Sequence, residues 1–133
     1  MTGIRARIAV SAIFAAALAL LLIPNDAAAH YPQISPIGNL VINMNETGPL
    51  VRFLVSDRDT PSNDLVLTYR SDNPTLIPED DDHITLGGTG QDRTITVTPA
   101  QDQYGEANVT VIVTDGDGDQ NREPFLVVVN RPI

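Results

Sequence analysis

The sequence contains no cysteine, no tryptophan and no lysine. Without cysteine there is no disulfide, no thiol nucleophile and no thiolate metal site, so an exported fold of this size must be held by burial alone. That suits a bacterial or archaeal surface better than an animal one, where small secreted domains often carry disulfides. Aromatic residues are 5% of the chain, three Tyr and three Phe. The aromatic platforms of a sugar cleft are therefore missing, which counts against glycosidase work despite the many carboxylates, and against a carbohydrate-binding module. Positive charge is scarce: eight basic residues, all arginine, face seventeen acids, a formal net charge of −9. Such a field repels nucleic acid and anionic membrane and attracts cations. No enzyme is expected, and His83 beside Asp80, Asp81 and Asp82 reads as a histidine in an acidic loop.

The one long hydrophobic run lies at the N-terminus. Residues 8–23 form a nearly unbroken apolar stretch of 16 residues. Arg5 and Arg7 precede it, Pro24 stops it, and Ala27-Ala28-Ala29 supplies a small-residue cleavage site, so residues 1–29 read as a signal peptide. The run is short of the ~20 residues a transmembrane helix needs. An uncleaved, pilin-like helix is the alternative, and the Ala-x-Ala site argues against it. The expected product is residues 30–133, a single domain of 104 residues with six arginines and sixteen acids, net charge −10 by that count. It is expected to be secreted or on the cell surface, periplasmic if retained by a Gram-negative source, with no membrane insertion after cleavage.

Beyond the leader no helical period appears. Residues 107–114 alternate Ala107, Val109, Val111 and Val113 with Asn108, Thr110, Ile112 and Thr114, the period of a strand with one face in a core. Residues 125–129 are apolar throughout, as in a strand sandwiched between layers or covered by a partner. The Asp-Gly-rich connection between the two runs predicts a β-hairpin. Further strands are expected at 50–55, 65–70, 83–86 and 93–98, after an entry strand made of the proline-punctuated residues 30–36 and residues 40–44. Counted that way there are seven, with turns at the spacing of a two-sheet sandwich. That topology brings residues 57–64, 87–92 and 115–121 to one end.

The strings DRDTPSNDLVLTYRSDNPTLIP and ITLGGTGQDRTITVTPAQDQYGEANVTVIVTDGDGD resemble the bacterial cadherin-like, immunoglobulin-like (Big-type) repeats of surface proteins. The pattern Thr-x-Thr-Pro-Ala, a glycine six residues on, and Val-x-Val-x-Asp-Gly carries the likeness, which spans about Pro32 to Asn130. It implies an all-β, seven-stranded immunoglobulin-like β-sandwich. This chain has one copy where the family commonly has several in tandem.

Asp57 and Asp59 in one loop, and Asp115, Asp117 and Asp119 in the loop expected beside it, are the candidate metal ligands. Five converging carboxylates repel one another, and a hard cation needing six to eight oxygens relieves that, so calcium is the expected cofactor. The cadherin-like resemblance implies the same aspartates with an early-strand acid such as Glu46, whose turn is however expected at the opposite end. The bland reading is a solvated acidic turn. An EF-hand is excluded: its sixth position lacks glycine and its twelfth is Leu126. Residues 87–92 match the opening of a calcium-binding nonapeptide but occur once, so a hairpin turn is expected. A mature N-terminal His30 suggests copper, with His83 the only second imidazole and expected at the far end. Tyr104 is placed as a tyrosine corner. Asn45-Glu46-Thr47 and Asn108-Val109-Thr110 match glycosylation acceptors, accidental in a prokaryote.

The leading expectation is an exported, non-enzymatic immunoglobulin-like module for adhesion or cell-surface structure, stiffened by calcium. Its partners would be other surface proteins or copies of itself. Second comes a subunit of a filament or complex assembling through strand edges, either residues 125–129 or the entry strand, and third an N-terminal-histidine copper carrier.

Overall fold

Among the described residues, alternation of buried and exposed side chains sets eight strands: β1 Gln33–Ile34, β2 Leu40–Asn43, β3 Val51–Ser56, β4 Val66–Ser71, β5 Ile84–Thr89, β6 Asp92–Val97, β7 Gly105–Thr114 and β8 Gln120–Asn130. They form two four-stranded sheets, β1-β3-β6-β5 and β2-β8-β7-β4. The computed structural model describes residues 30–133. The signal peptide expected for residues 1–29 lies outside them. Among the described residues no helix is long and apolar enough to cross a membrane.

The two sheets face each other across one core. Phe53, Val55, Ile84, Ile95 and Val97 come from the first, and Ile42, Val109, Val111, Val113, Phe125 and Val127 from the second. Full burial of such a side chain is worth about 1.5 to 3 kcal/mol, so the period-2 pattern fixes both register and facing. Leu76 and Ile77 also enter this core. They come from the long return after β4, where the amides of both donate to the Asn73 carbonyl.

Three expectations shift. The entry is two strands instead of one, because Pro36 and Gly38 interrupt it: β1 pairs antiparallel with β3, while β2 crosses to the other sheet and runs parallel to β8. Among the described residues the strands therefore number eight where seven were expected. Residues 125–129 are no edge either, since β8 lies between β2 and β7. Its apolar run divides between the faces, with Phe125, Val127 and Val129 in the core and Leu126 and Val128 half-buried outside. Pro124 is tolerated within β8 because its register is with Thr110 while β2 begins only opposite Val127. Third, Ile112, expected on the outward face, is on that face but only 8% exposed. In register it stands between Thr68 and Arg122, whose side chains flank it.

The paths of β1 and β8 define two poles. The Asn121 side chain donates to the Pro32 carbonyl (3.0 Å) where the chain enters. Nine residues further along β8, Asn130 stands opposite Asn43 at the other pole.

Candidate functional site

The loop between β3 and β4 is built by Asp57. Its Oδ2 accepts the amides of Asp59 (2.9 Å) and Thr60 (2.8 Å), an Asx turn that curls the chain before Pro61. A 3-10 turn at Ser62–Asp64 follows, and it delivers Leu65 into the core, 3% exposed. Asp59 remains on the surface.

The loop between β7 and β8 repeats the device. Asp115 is 6% exposed, and its Oδ1 accepts the amides of Asp117 and Asp119, both at 2.9 Å. Gly118 completes the turn with φ +91°, a left-handed conformation that favours glycine. Asp117 is exposed and Asp119 half-buried. The second oxygen of Asp115, Oδ2, is buried and accepts no hydrogen bond.

The two loops touch at Thr60, whose Oγ1 accepts the Gly116 amide at 3.0 Å. The third connection joins them: the Gly90 amide donates to Asn63 Oδ1 (2.7 Å) in the β5–β6 turn. Arg93 ties all this from below. Its Nε donates to the Gly90 carbonyl (2.7 Å) and its Nη2 to the carbonyls of Ser62 (2.6 Å) and Leu65 (3.3 Å). The three connections thus form one pole, as the sandwich topology requires. Thr60, Asn63 and Arg93 were not singled out from the sequence. Arg93 had a readable signal, since it shares the inward parity of Ile95 and Val97 in β6 and is 9% exposed.

The two loops that carry Asp57, Asp59, Asp115, Asp117 and Asp119 therefore meet at Thr60 and Gly116. Asp57 and Asp115 spend one oxygen each on their own backbone. Among the described residues no three histidine or acidic side chains stand where they could hold a metal ion. The chemistry on show is acidic loop capping, with a buried carboxylate oxygen on each loop, Asp57 Oδ1 and Asp115 Oδ2.

The opposite pole holds the remaining candidates. Glu46 Oε1 accepts from Asn43 Nδ2 (3.3 Å), away from the aspartate loops. His83 Nδ1 is 2.7 Å from Asp80 Oδ1. That contact, first among several, holds the Asp80 carboxyl below the usual range. Glu79 is likewise lowered, first by the Ser71 amide and then by Arg70, whose Nε lies 2.6 Å from Glu79 Oε2. Tyr69 donates to Asp81 Oδ1 (2.6 Å), and this bond, with burial and the neighbouring acids, pushes the phenol up to about 12. The acidic run thus caps the edge of β4 and the start of β5. Tyr104 is not the expected corner: it is 52% exposed, and the Arg131 guanidinium lies 5.1 Å from its ring centre.

Known structures match this fold. A crystal structure of the titin M10–obscurin-like 1 Ig complex matches with a TM-score of 0.56 at 12% identity, covering 79% of this chain and 99% of that one. The titin M3 domain matches at 0.53 and 15% identity, over 75% and 97%. The N-terminal Ig1-2 module of the Drosophila receptor protein tyrosine phosphatase DLAR matches at 0.55 and 12%, over 77% of this chain and 50% of that one. At such identities the likeness is one of fold. No curated protein matches the chain. A family model described as bacterial Ig domain matches residues 25–127, and with the two-sheet sandwich it establishes that this chain belongs to the bacterial Ig domain family.

Proposed function

We propose that this chain is exported and acts as a non-catalytic immunoglobulin-like module in adhesion or structure at the cell surface. The observation that carries the reading is the placement of the first and last strands. The sandwich is entered beside the acidic loops, where Asn121 holds Pro32, and is left beside Asn43. The 11 residues of β8 run between these poles, a span of about 33 Å at the rise of a strand. A module threaded from pole to pole separates whatever its two ends join and leaves the loops at one pole for contact. Protease accessibility and antibody labelling of intact producing cells test this, together with attachment of cells lacking the chain. Surface labelling with reduced attachment or altered envelope integrity is expected. Recovery of the chain solely from the cytoplasm would overturn the reading.

A second reading, calcium at the acidic pole, is favoured by one observation: the buried Oδ2 of Asp115 accepts no hydrogen bond. Calcium takes oxygen ligands and tolerates irregular geometry. Binding here requires the loops to draw further carboxylates, such as Asp117 and Asp59, toward Asp115. Thermal unfolding followed during a calcium titration tests it. A ligand specific for the native state at a hundredfold excess over its Kd stabilises by about 2.7 kcal/mol. A saturable rise that Asp115→Asn abolishes is expected, and no rise at millimolar calcium would remove the ion from the reading.

A further inference from the structure

The outer face of the β2-β8-β7-β4 sheet differs from the rest of this acidic chain. Residues 30–133 carry six arginines and sixteen acids, so most approaches of two copies set acids against acids. On and beside this face two arginines, Arg70 and Arg122, stand with three acids, Asp72, Glu79 and Glu106. Arg70 and Asp72 are engaged within the chain, by Glu79 and by Asn108. Arg122 lies opposite Ile112, and Glu106 lies opposite Val128, in the register of β7 with β8. That places the two charges about three pleat repeats apart, roughly 20 Å along the sheet. On β8 the surface between them is apolar, with Leu126 half-buried in line with Pro124, while β7 presents Asn108 and Thr110 there; beside Val128, which is half-buried, Val41 of β2 is 66% exposed.

We propose that this face docks against the same face of a second copy. The two-fold axis lies in the plane between the sheets and crosses β8 and β7 near Leu126 and Thr110. Rotation about it sets Arg122 of each copy beside Glu106 of the other, and the contact is isologous, so each pair occurs twice. Because Arg122 and Glu106 sit on neighbouring strands, the line joining them is tilted from the strands by about 14°, from a 4.8 Å strand spacing and the 20 Å separation. The strands of the two copies therefore cross at roughly 30°, the angle at which twisted sheets pack face to face. Leu126 and Pro124 lie at the centre beside Asn108 and Thr110 of β7, and Val128 lies toward the end beside Glu106. The patch measures roughly 26 Å by 15 Å, on the order of 400 Å² per copy. At roughly 800 Å² in total that is below the ~1,000 Å² of a stable interface, so the association is a weak, transient one that becomes effective where copies are held together. The inference stands independently of the calcium reading and adds a specific partner to the surface role.

Sedimentation equilibrium of a chain beginning at Tyr31 tests it. Residues Tyr31–Ile133 make up one compact unit containing the whole core. At concentrations up to millimolar the wild type is expected to show a monomer–dimer equilibrium. Arg122→Glu and Glu106→Arg should each weaken it about tenfold or more, because every reversal turns two attractive pairs repulsive. Both residues are exposed, so neither substitution disturbs the core. Mixing the two single variants, or combining both changes in one chain, should restore dimers by returning opposite charges to each pair. A wild type that is strictly monomeric at about 1 mM, or a dimer indifferent to both reversals, would overturn the proposal. Loss in the single variants without recovery in the mixture would equally exclude the antiparallel pairing.

Discussion

Thr60 and Gly116, 56 residues apart in sequence, are joined by a hydrogen bond of 3.0 Å from the Gly116 amide to the Thr60 hydroxyl. It links two loops whose turns are each capped by an aspartate of their own, Asp57 and Asp115. Thr60→Val keeps the shape and removes the acceptor. Water can reach exposed Gly116, so the expected loss is about 1 kcal/mol by chemical denaturation. Faster amide exchange at Gly116, with protection of the β7–β8 ladder unchanged, should accompany it. A variant as stable and as protected as wild type would show that the loops hold together without this bond.

Arg93 carries more of the same pole. Its guanidinium serves three carbonyls from two loops and is nearly out of contact with solvent. Arg93→Met fills the volume but leaves those carbonyls without their donor, and should cost about 2 to 4 kcal/mol in unfolding free energy. Arg93→Lys should recover only a minor part, because an ammonium cannot reproduce the planar fork that reaches both loops. Equal stability of the lysine variant and the wild type would contradict this account.

The sandwich was legible because strands such as β6 and β7 write their facing into alternate residues, and turns rich in Asp, Gly and Pro mark where they end. The meeting of three connections followed from topology, and Gly90 bonded to Asn63 bears it out. Less legible was anything set by contacts between distant residues. That Leu76 and Ile77 belong to the core has no periodic signature, only two apolar residues between Pro74 and Pro78. The division of the entry between two sheets depends on which neighbours, β3 or β8, offer a free edge. Aspartates pose the hardest case, since the same Asp-x-Asp spacing serves a cation or a backbone cap. Asp115 bonding the amides of Asp117 and Asp119 is a cap that composition alone could not distinguish from a ligand loop.

At the far pole Asn45 and Asp102 bond each other twice, Asn45 Nδ2 to Asp102 Oδ1 at 3.0 Å and the Asp102 amide to Asn45 Oδ1 at 2.7 Å. Both have left-handed backbones, with φ of 66° and 63°. Asn45→Ala loses both bonds and, as asparagine does, keeps a Cβ in the left-handed region, so a loss of about 1 to 2 kcal/mol is expected from the bonds. Asn45→Gly loses the bonds but relieves the backbone and should cost about 1 kcal/mol. Denaturation midpoints of the two variants separate strain from bonding, and an alanine variant no worse than glycine would mean that the turn stores no strain.

The Tyr69–Asp81 bond gives the chain an alkaline limit of stability that can be read directly. Its phenol is held neutral by the Asp81 carboxylate up to about 12, against an ordinary value near 10. A raised folded-state value means that the folded chain binds the proton more tightly than the unfolded one. The stabilisation is therefore complete below about pH 10, falls as pH rises toward about 12, and is gone above it. Tyr69→Phe removes this bond and its titration together, so its unfolding midpoint should start lower than wild type at neutral pH and converge on it as pH passes through that window. The acids beside it behave in mirror image. Glu79 and Asp80 are lowered, so what they add is present above the ordinary carboxylate range, about pH 4, and disappears as pH falls through their folded values. Asp80→Asn and Glu79→Gln should flatten the acid side and leave the alkaline side alone. If Tyr69→Phe instead paralleled wild type from pH 8 to 12, the Asp81 contact would not be what holds the phenol neutral.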